Sequence, residues 1–321
     1  MLIFASGRTD IPAFYSQWFI NRVRAGFVDV RNPYYAHQVS RYKLSPDLVD
    51  FFVFCTKNPK PMILHLEELK NFGIYFFVTI TPYEKEVEGN VPDKQQVIES
   101  FIELSKILGR ERVCWRYDPI FIDQKYSVSF HIREFRKMAE QLCSFTDRCI
   151  ISFIDLYEKT KKKFPNAKEV SEQDQKFIAQ AFARIGTETG IQIESCAEQL
   201  DLTAFGVKNG GCISRKVIER AAQIHLKKNI PINHLRKFCS CLPTHDIGSY
   251  NSCPHLCKYC YANYDESLVK KNGGSIKSSV TKDLSYLVTN DRESGSSKNL
   301  KAAKFGIPVI SEDEFLKLLE A

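Results

Sequence analysis

At 321 residues, 44% hydrophobic and 26% charged, the chain has the length for one large domain or two ordinary ones, and a composition that excludes disordered and fibrous classes. No apolar run approaches the roughly 20 residues of a membrane span, and the opening "MLIFASGRTD" meets Arg8 and Asp10 too soon for a signal peptide, so a cytoplasmic protein is expected. The net charge is +7; residues 265–321 carry nine basic and nine acidic side chains, so the excess lies in 1–264 and suits nucleic acid or another anionic ligand.

In chain order, short β-branched and aromatic runs at 2–5, 49–55, 74–80, 113–117, 149–155, 191–196 and 246–250 predict strands. Most are apolar on both faces, as strands buried under helices should be. Apolar residues at three- and four-residue spacing predict helices over 94–108, 129–145 and 171–189. Residues 28–44, alternating around "RNPYY", predict a β-hairpin insert. Repeated β–α units favour a parallel (β/α) barrel of TIM type, complete or partial.

Polar residues gather where the strands end: "SGRTD" at 6–10, "CTKNP" at 55–59, "TITPYE" at 79–84, "WRYDP" at 115–119, "DLYEK" at 155–159 and "SCAE" at 195–198. Barrel enzymes build their sites at these C-terminal ends. Arg116 offers a planar fork for a carboxylate and Asp118 closes its strand, so this pair leads as substrate or cofactor contacts. The same two residues also read as an ion pair bracing the mouth of the sheet. Lys57, Asn58, Thr81, Tyr83 and Glu198 follow.

The last strand runs into "SCPHLCKYCYANY", where Cys253, Cys257 and Cys260 crowd one loop. In a reducing compartment such clustering points to metal or redox chemistry rather than disulfides. Three thiolates hold three corners of a [4Fe–4S] cube and leave one iron open. Zinc is the rival, with His255 or His245 as fourth ligand, although paired Cys-x2-Cys knuckles are missing. Cys196, Cys212, Cys239 and Cys241 form a possible auxiliary site for a second cluster or for zinc, or else pack in the core. Cys55, Cys114, Cys143 and Cys149 read as packing residues.

Cys-x3-Cys-x-aromatic-Cys, with Tyr259 as the aromatic, resembles the signature of the radical S-adenosylmethionine (SAM) superfamily. The resemblance implies a radical SAM enzyme with a [4Fe–4S] cluster, SAM, and a reducing partner such as flavodoxin or ferredoxin. That superfamily carries its loop after the first barrel strand, whereas here it follows the last, which implies a circularly permuted barrel. "SGRTD" then falls where the superfamily grips the SAM amino group. Gly7, Arg8, Asp10, Thr81 and Glu198 become cofactor contacts, and Arg116, Asp118 and Lys57 the catalytic candidates. The stretch 1–264 as a whole, through "SGRTDIPAFY", "TKNP", "TITPY", "WRYDP", "SCAE", "DIGSYNSC" and "CPHLCKYCYAN", resembles an uncharacterised bacterial family ending in a radical-SAM-like cysteine cluster.

The remainder, 265–321, alternates helix, strand, strand, helix, strand, helix. Through "NGG", "SYLVTND", "KAAKFGIPVIS" and "EDEFLKLL" it resembles the BRCT domain, a phosphopeptide- and DNA-end-binding module of bacterial DNA ligases. The cysteine loop occupies the place of that module's first strand, so the tail reads as partial, with Lys298 matching the pocket lysine. Two non-enzymatic readings stand beside the radical enzyme: a zinc- or cluster-stabilised DNA-associated adaptor, and an iron–sulfur electron carrier.

Overall fold

The computed structural model describes residues 1–33, 35, 37–156, 160–161, 164–165, 167–222, 239–262, 279–282, 284–289, 296–311 and 314–315. The chain divides into two units, Met1–Ser16 with Arg22–Tyr264, and Gln17–Asn21 with Asp265–Ala321.

The first unit is built on one sheet of eight parallel strands. These are β1 (Leu2–Phe4), β4 (Phe51–Thr56), β5 (Gly73–Thr79), β6 (Val113–Ile120), β7 (Arg148–Phe153), β8 (Gln192–Ser195), β9 (Lys208–Asn209) and β10 (His245–Asp246). Their spatial order is β10-β1-β4-β5-β6-β7-β8-β9. The strand latest in the sequence thus pairs with the earliest, Ile3 opposite His245 and Phe4 opposite Asp246. The hairpin insert is present as a separate antiparallel pair, β2 (Phe27–Arg31) and β3 (Val39–Lys43). The expected barrel is not closed: among the described residues the end strands β9 and β10 do not pair. Each is two residues long and offers little backbone to bond.

Strand alternation explains the layering. On β6, Trp115 and Tyr117 face the helices, and Trp115 stacks on Phe135 of α5 (Val128–Leu142) at 4.7 Å. Phe135 stacks in turn on Phe182 of α6 (Glu172–Thr189) at 3.7 Å. Each ring is fully buried, and truncating one costs about 3–5 kcal/mol. The opposite face of the sheet forms a single cluster from Leu2, Phe51, Val53, Tyr75, Phe77, Cys114 and Ile150. Ile218 and Ala221 of α7 (Arg215–Ala222) belong to it too.

The three predicted helices start where their caps dictate. Asp93 accepts from Gln95 N–H at the head of α4 (Lys94–Leu108), Ser127 from Phe130 N–H, and Ser171 from Asp174 N–H. Between β1 and β5 lie the shorter α1 (Ile11–Phe14), α2 (Ser16–Ala25) and α3 (Lys60–Ile63).

In the second unit, β11 (Leu287–Val288) and β12 (Val309–Ile310) pair in parallel, with α8 (Ser297–Phe305) between them in sequence. Val280, Ala302 and Ile307 form its buried core. The predicted first helix of the tail lies outside the described residues.

Candidate functional site around the three-cysteine loop

The loop carrying Cys253, Cys257 and Cys260 is bound along its length to the C-terminal ends of β1, β4 and β5. Cys257 bridges Glu88 in antiparallel fashion. Around that bridge Lys258 N–H donates to Val87 O at 3.0 Å, Asn90 N–H to His255 O at 3.0 Å, and Asn90 Nδ2 to Pro254 O at 2.8 Å. Asn251 and Leu256 adopt φ of 61° and 56°, left-handed backbone that non-glycine residues accept at a cost of about 1–3 kcal/mol. The loop is therefore held in a definite shape by backbone pairing.

Beneath it lies a buried charge network. Glu88, 1% exposed, accepts from Lys57 Nζ at 2.7 Å and from Thr81 Oγ1 at 2.5 Å, and is also contacted by Lys94 Nζ and the Tyr259 hydroxyl. Burial alone would raise this carboxyl, but the cations of Lys57 and Lys94 hold it down at about 2. Tyr259 thus ties the centre of the cysteine loop to β4 and β5.

Asp10 performs the matching task on the other side. Its Oδ1 accepts from Ala13 N–H at 3.0 Å, capping α1, while Oδ2 accepts from Lys57 N–H at 2.8 Å and contacts His255 Nε2 at 2.9 Å. Both carboxylate oxygens are therefore engaged by the protein. His255 is buried beside the Phe14 ring, at 4.6 Å, and its Nδ1 has no hydrogen-bond partner among the described residues.

Cys253 and Cys260 are partly exposed and Cys257 is buried. Burial raises Cys253 to about 12, and the nearby Asp10 charge adds to this, against backbone N–H groups of His255 and Asp10 that favour its thiolate. Burial also pushes up Cys257, opposed by Lys57, with Cys253 and Cys260 raising it further. The three thiols thus act on one another electrostatically. Among the described residues, no group of three or more His, Cys, Asp or Glu side chains is set at the spacing of a single bound metal ion. A cubane spreads its thiolates over separate irons, farther apart than the ligands of one ion, and three soft thiolates suit it chemically.

The remaining predicted residues fall into place around this loop. A Cβ on Gly7 would meet Asp246 Oδ2 at 1.9 Å, so any larger residue there would displace the Asp246 carboxylate where β1 and β10 end together. The Gly7 carbonyl accepts from Tyr261 Oη at 2.8 Å, and Arg8 Nη1 donates to Gly248 O at 3.4 Å. Arg116 and Asp118 form an ion pair with each other, and the Arg116 guanidinium lies over the Phe77 ring at 5.5 Å. Glu198 accepts from Phe153 N–H at 2.9 Å. Burial raises its carboxyl to about 7, with Asp118 and Asp155 adding to the rise. Tyr83 is turned into the protein, donating to Pro119 O at 2.7 Å. Asn58 accepts from Lys60 N–H at 3.2 Å. Of "DLYEK", residues 157–159 lie outside the described residues.

Of the second cysteine group, Cys196 Sγ lies 3.5 Å from Cys212 Sγ, and Cys212 Sγ lies 3.2 Å from Cys241 Sγ, all buried together with Cys239. Sequence reasoning missed Glu88 and Lys94. Glu88 is one of three glutamates in "EKEVE", and no spacing there separates it from its solvent-facing neighbours.

Residues 2–262 match the family model of a domain of unknown function, DUF1848. Residues 261–319 match that of the BRCA1 C-terminus (BRCT) domain. Over the BRCT stretch the chain resembles DNA ligases. That of Treponema denticola is 59% identical over 54 residues, 17% of this chain and 8% of the ligase. That of Lachnoclostridium phytofermentans is 47% identical over 57 residues, 18% of this chain and 9% of the ligase. The chain thus spans under a tenth of these relatives. A solved structure from Bacteroides thetaiotaomicron, described as a candidate alpha-L-fucosidase, aligns over 74% of this chain and 90% of its own. Its TM-score of 0.27 and 11% identity carry no argument. No helix among the described residues is long and apolar enough to cross a membrane.

Proposed function

This chain belongs to the DUF1848 family and ends in a BRCT domain, and we propose that its DUF1848 domain is a radical SAM enzyme. The observation that carries the reading is the attachment of the Cys-x3-Cys-x2-Cys loop to the C-terminal ends of β1, β4 and β5 through Asp10, Lys57, Thr81 and Glu88. Parallel α/β proteins work at that end of the sheet. A loop tied to three successive strand ends supports the resemblance drawn from its cysteine spacing. The barrel reading belongs with this proposal, with segments beyond the end strands closing the sheet.

In this reading Cys253, Cys257 and Cys260 hold a [4Fe–4S] cluster. The chemistry it supplies when bound is one-electron cleavage of the SAM sulfonium, giving methionine and a 5′-deoxyadenosyl radical that takes hydrogen from substrate. The protein's own groups shape the setting. Asp10 and Glu88 fix the loop at its two sides, and Lys57 places a cation beside Cys257. Arg116 presents a carboxylate-binding fork from inside the sheet, and its ion pair with Asp118 is exchanged when an anionic group arrives. Glu198, held near neutrality by burial, gives or takes a proton at that rim. The electron comes from a reducing partner such as flavodoxin or ferredoxin. The basic excess of 1–264 and the BRCT domain together favour nucleic acid, or a protein bound to it, as partner.

Protein reconstituted anaerobically with iron and sulfide should show broad cluster absorption. SAM should change the electron paramagnetic resonance of the reduced cluster, and 5′-deoxyadenosine should accumulate slowly under strong reductant. A cluster that SAM neither perturbs nor is cleaved by sinks the enzyme reading and leaves an electron carrier.

One observation favours a second reading, zinc held by the three cysteines and His255, which would have to draw together from the spacing they have here. A ligating histidine usually has its other ring nitrogen fixed by a carboxylate. Asp10 holds Nε2 of His255 while the buried Nδ1 is unpartnered among the described residues. Iron, sulfide and zinc counts on the same preparation separate the two.

A further inference from the structure

We propose that the exposed face of the β2–β3 hairpin is a docking surface for double-stranded DNA, carried by Arg22, Arg31, Arg41 and Lys43. It gives a nucleic-acid partner a place on the DUF1848 domain, and it stands whether or not the three-cysteine loop holds a cluster.

Strand alternation and register sort the hairpin side chains onto two faces. Val28, Val30, Ser40 and Tyr42 share one of them. The two valines are buried, and Tyr42 packs on His245 of β10 at 4.9 Å. The other face sets Phe27 opposite Lys43, Asp29 opposite Arg41 and Arg31 opposite Val39. Arg31, Val39, Arg41 and Lys43 are exposed there, and Tyr35, between the strands, is 66% exposed. The guanidinium groups of Arg41 and of Arg22, from α2, lie over the Phe27 ring at 4.1 and 5.9 Å.

Four cations thus meet one carboxylate on this face. Asp29 accepts from Arg41 Nε and Nη2, both at 2.7 Å, and so fixes the plane of that guanidinium. Arg31 and Lys43 form no ion pair among the described residues, and the buried Nε of Arg22 has no hydrogen-bond partner among them. Of the acids that follow in sequence, Asp50 pairs with the N-terminal ammonium at 2.6 Å, and Asp47 is held chiefly by Ser45. Charge that merely blunts a sheet edge needs a lysine or a proline. It does not need two arginines on one ring, with tyrosine and valine in water beside them. Cations for phosphates, next to apolar and aromatic groups for bases and sugars, compose a nucleic-acid surface. A two-stranded ribbon enters the major groove of B-form DNA, about 12 Å wide, whereas that of an A-form RNA duplex is deep and narrow.

The test uses the full chain and a fluorescent DNA duplex closed by a loop at each end, which offers the BRCT domain no strand terminus. Four phosphate contacts give a salt slope of about −3.6, so affinity should fall about a hundredfold between 50 and 200 mM salt. Arg31→Glu with Lys43→Glu should weaken binding by about tenfold or more at 50 mM salt. The same charge change on α5 and α6, Lys137→Glu with Lys176→Glu, should leave binding within about twofold. Where the hairpin variant does not fold, hydrogen exchange on the wild-type chain decides, the closed duplex slowing the amides of β2 and β3. A duplex left unbound at 50 mM salt overturns the proposal. So does binding that the hairpin variant leaves intact, that the α5–α6 variant weakens equally, or that leaves exchange in β2 and β3 unchanged. A closed RNA duplex or polyglutamate bound as tightly as the DNA overturns the choice of DNA.

Discussion

The two cysteine groups of the DUF1848 domain are set in opposite surroundings. Cys253 and Cys260 are partly exposed on a loop fixed from below by ion pairs, whereas Cys196, Cys212 and Cys241 touch one another inside apolar packing with Ile213, Ile218 and Leu242. Thiols that must meet a ligand need access and a polar frame that survives exchange of that ligand. Thiols that join two segments need neither, and gain from exclusion of water. The same residue type is therefore given two environments, one open and polar and one closed and apolar, which composition does not reveal.

The largest expected effect separates the groups outright. Cys257→Ala should abolish cluster assembly on the loop, reading as loss of nearly all iron and sulfide, while the buried thiols of the second group stay reduced and free of metal. Iron and sulfide retained in Cys257→Ala would show that the loop does not carry the cluster.

Next comes the ionic frame. Glu88→Gln leaves the partly buried Lys57 and Lys94 without their buried counter-charge, so urea unfolding should show a loss of about 3 kcal/mol. The pH dependence has a defined sign. The folded carboxyl sits at about 2 against 4.5 unfolded, so its contribution is complete above pH 4.5 and disappears as pH falls through about 2. An unchanged stability in Glu88→Gln at pH 7 would mean that the frame is solvent-screened and does not hold the loop.

Glu198 tests the rim with the opposite sign. Its carboxyl is raised from 4.5 to about 7, so the folded state binds the extra proton and wild-type stability declines as pH rises from 4.5 through about 7. Glu198→Gln removes that decline. It should gain up to about 3 kcal/mol relative to wild type at pH 8 and nothing at pH 4. Parallel pH profiles for the two proteins would show Glu198 to be an ordinary carboxylate.

The smallest effect belongs to Arg116→Ala, which should leave iron content unaltered and weaken SAM or substrate binding about tenfold, roughly 1.4 kcal/mol. Unchanged binding by calorimetry would confine Arg116 to its pair with Asp118.

Legibility in the sequence followed the range of the interaction. The helix over 94–108 was readable to the residue because its cap and apolar spacing are local. The strand predicted at 113–117 continues to Ile120, past Pro119, because the register shifts between Tyr117 and Ile120 and a proline is tolerated at such an irregularity. β9 went unread because two residues carry no periodicity. The three cysteines announced themselves by spacing, whereas the bond from Tyr259 to Glu88 joins residues 171 apart and leaves no local trace.

The pairing of β10 with β1 sets the order in which the molecule can be made. During synthesis β1 emerges first, and the edge that β10 will cover waits for about 240 further residues, roughly 10–50 s at ordinary elongation rates. For that interval the nascent sheet presents unpaired N–H and C=O groups at β1, a template for pairing with another chain. The cysteine loop emerges after β10, so on the proposed reading a cluster would be loaded onto strand ends already in place. A nascent-chain chaperone shielding the edge of β1 is what this topology asks of the cell.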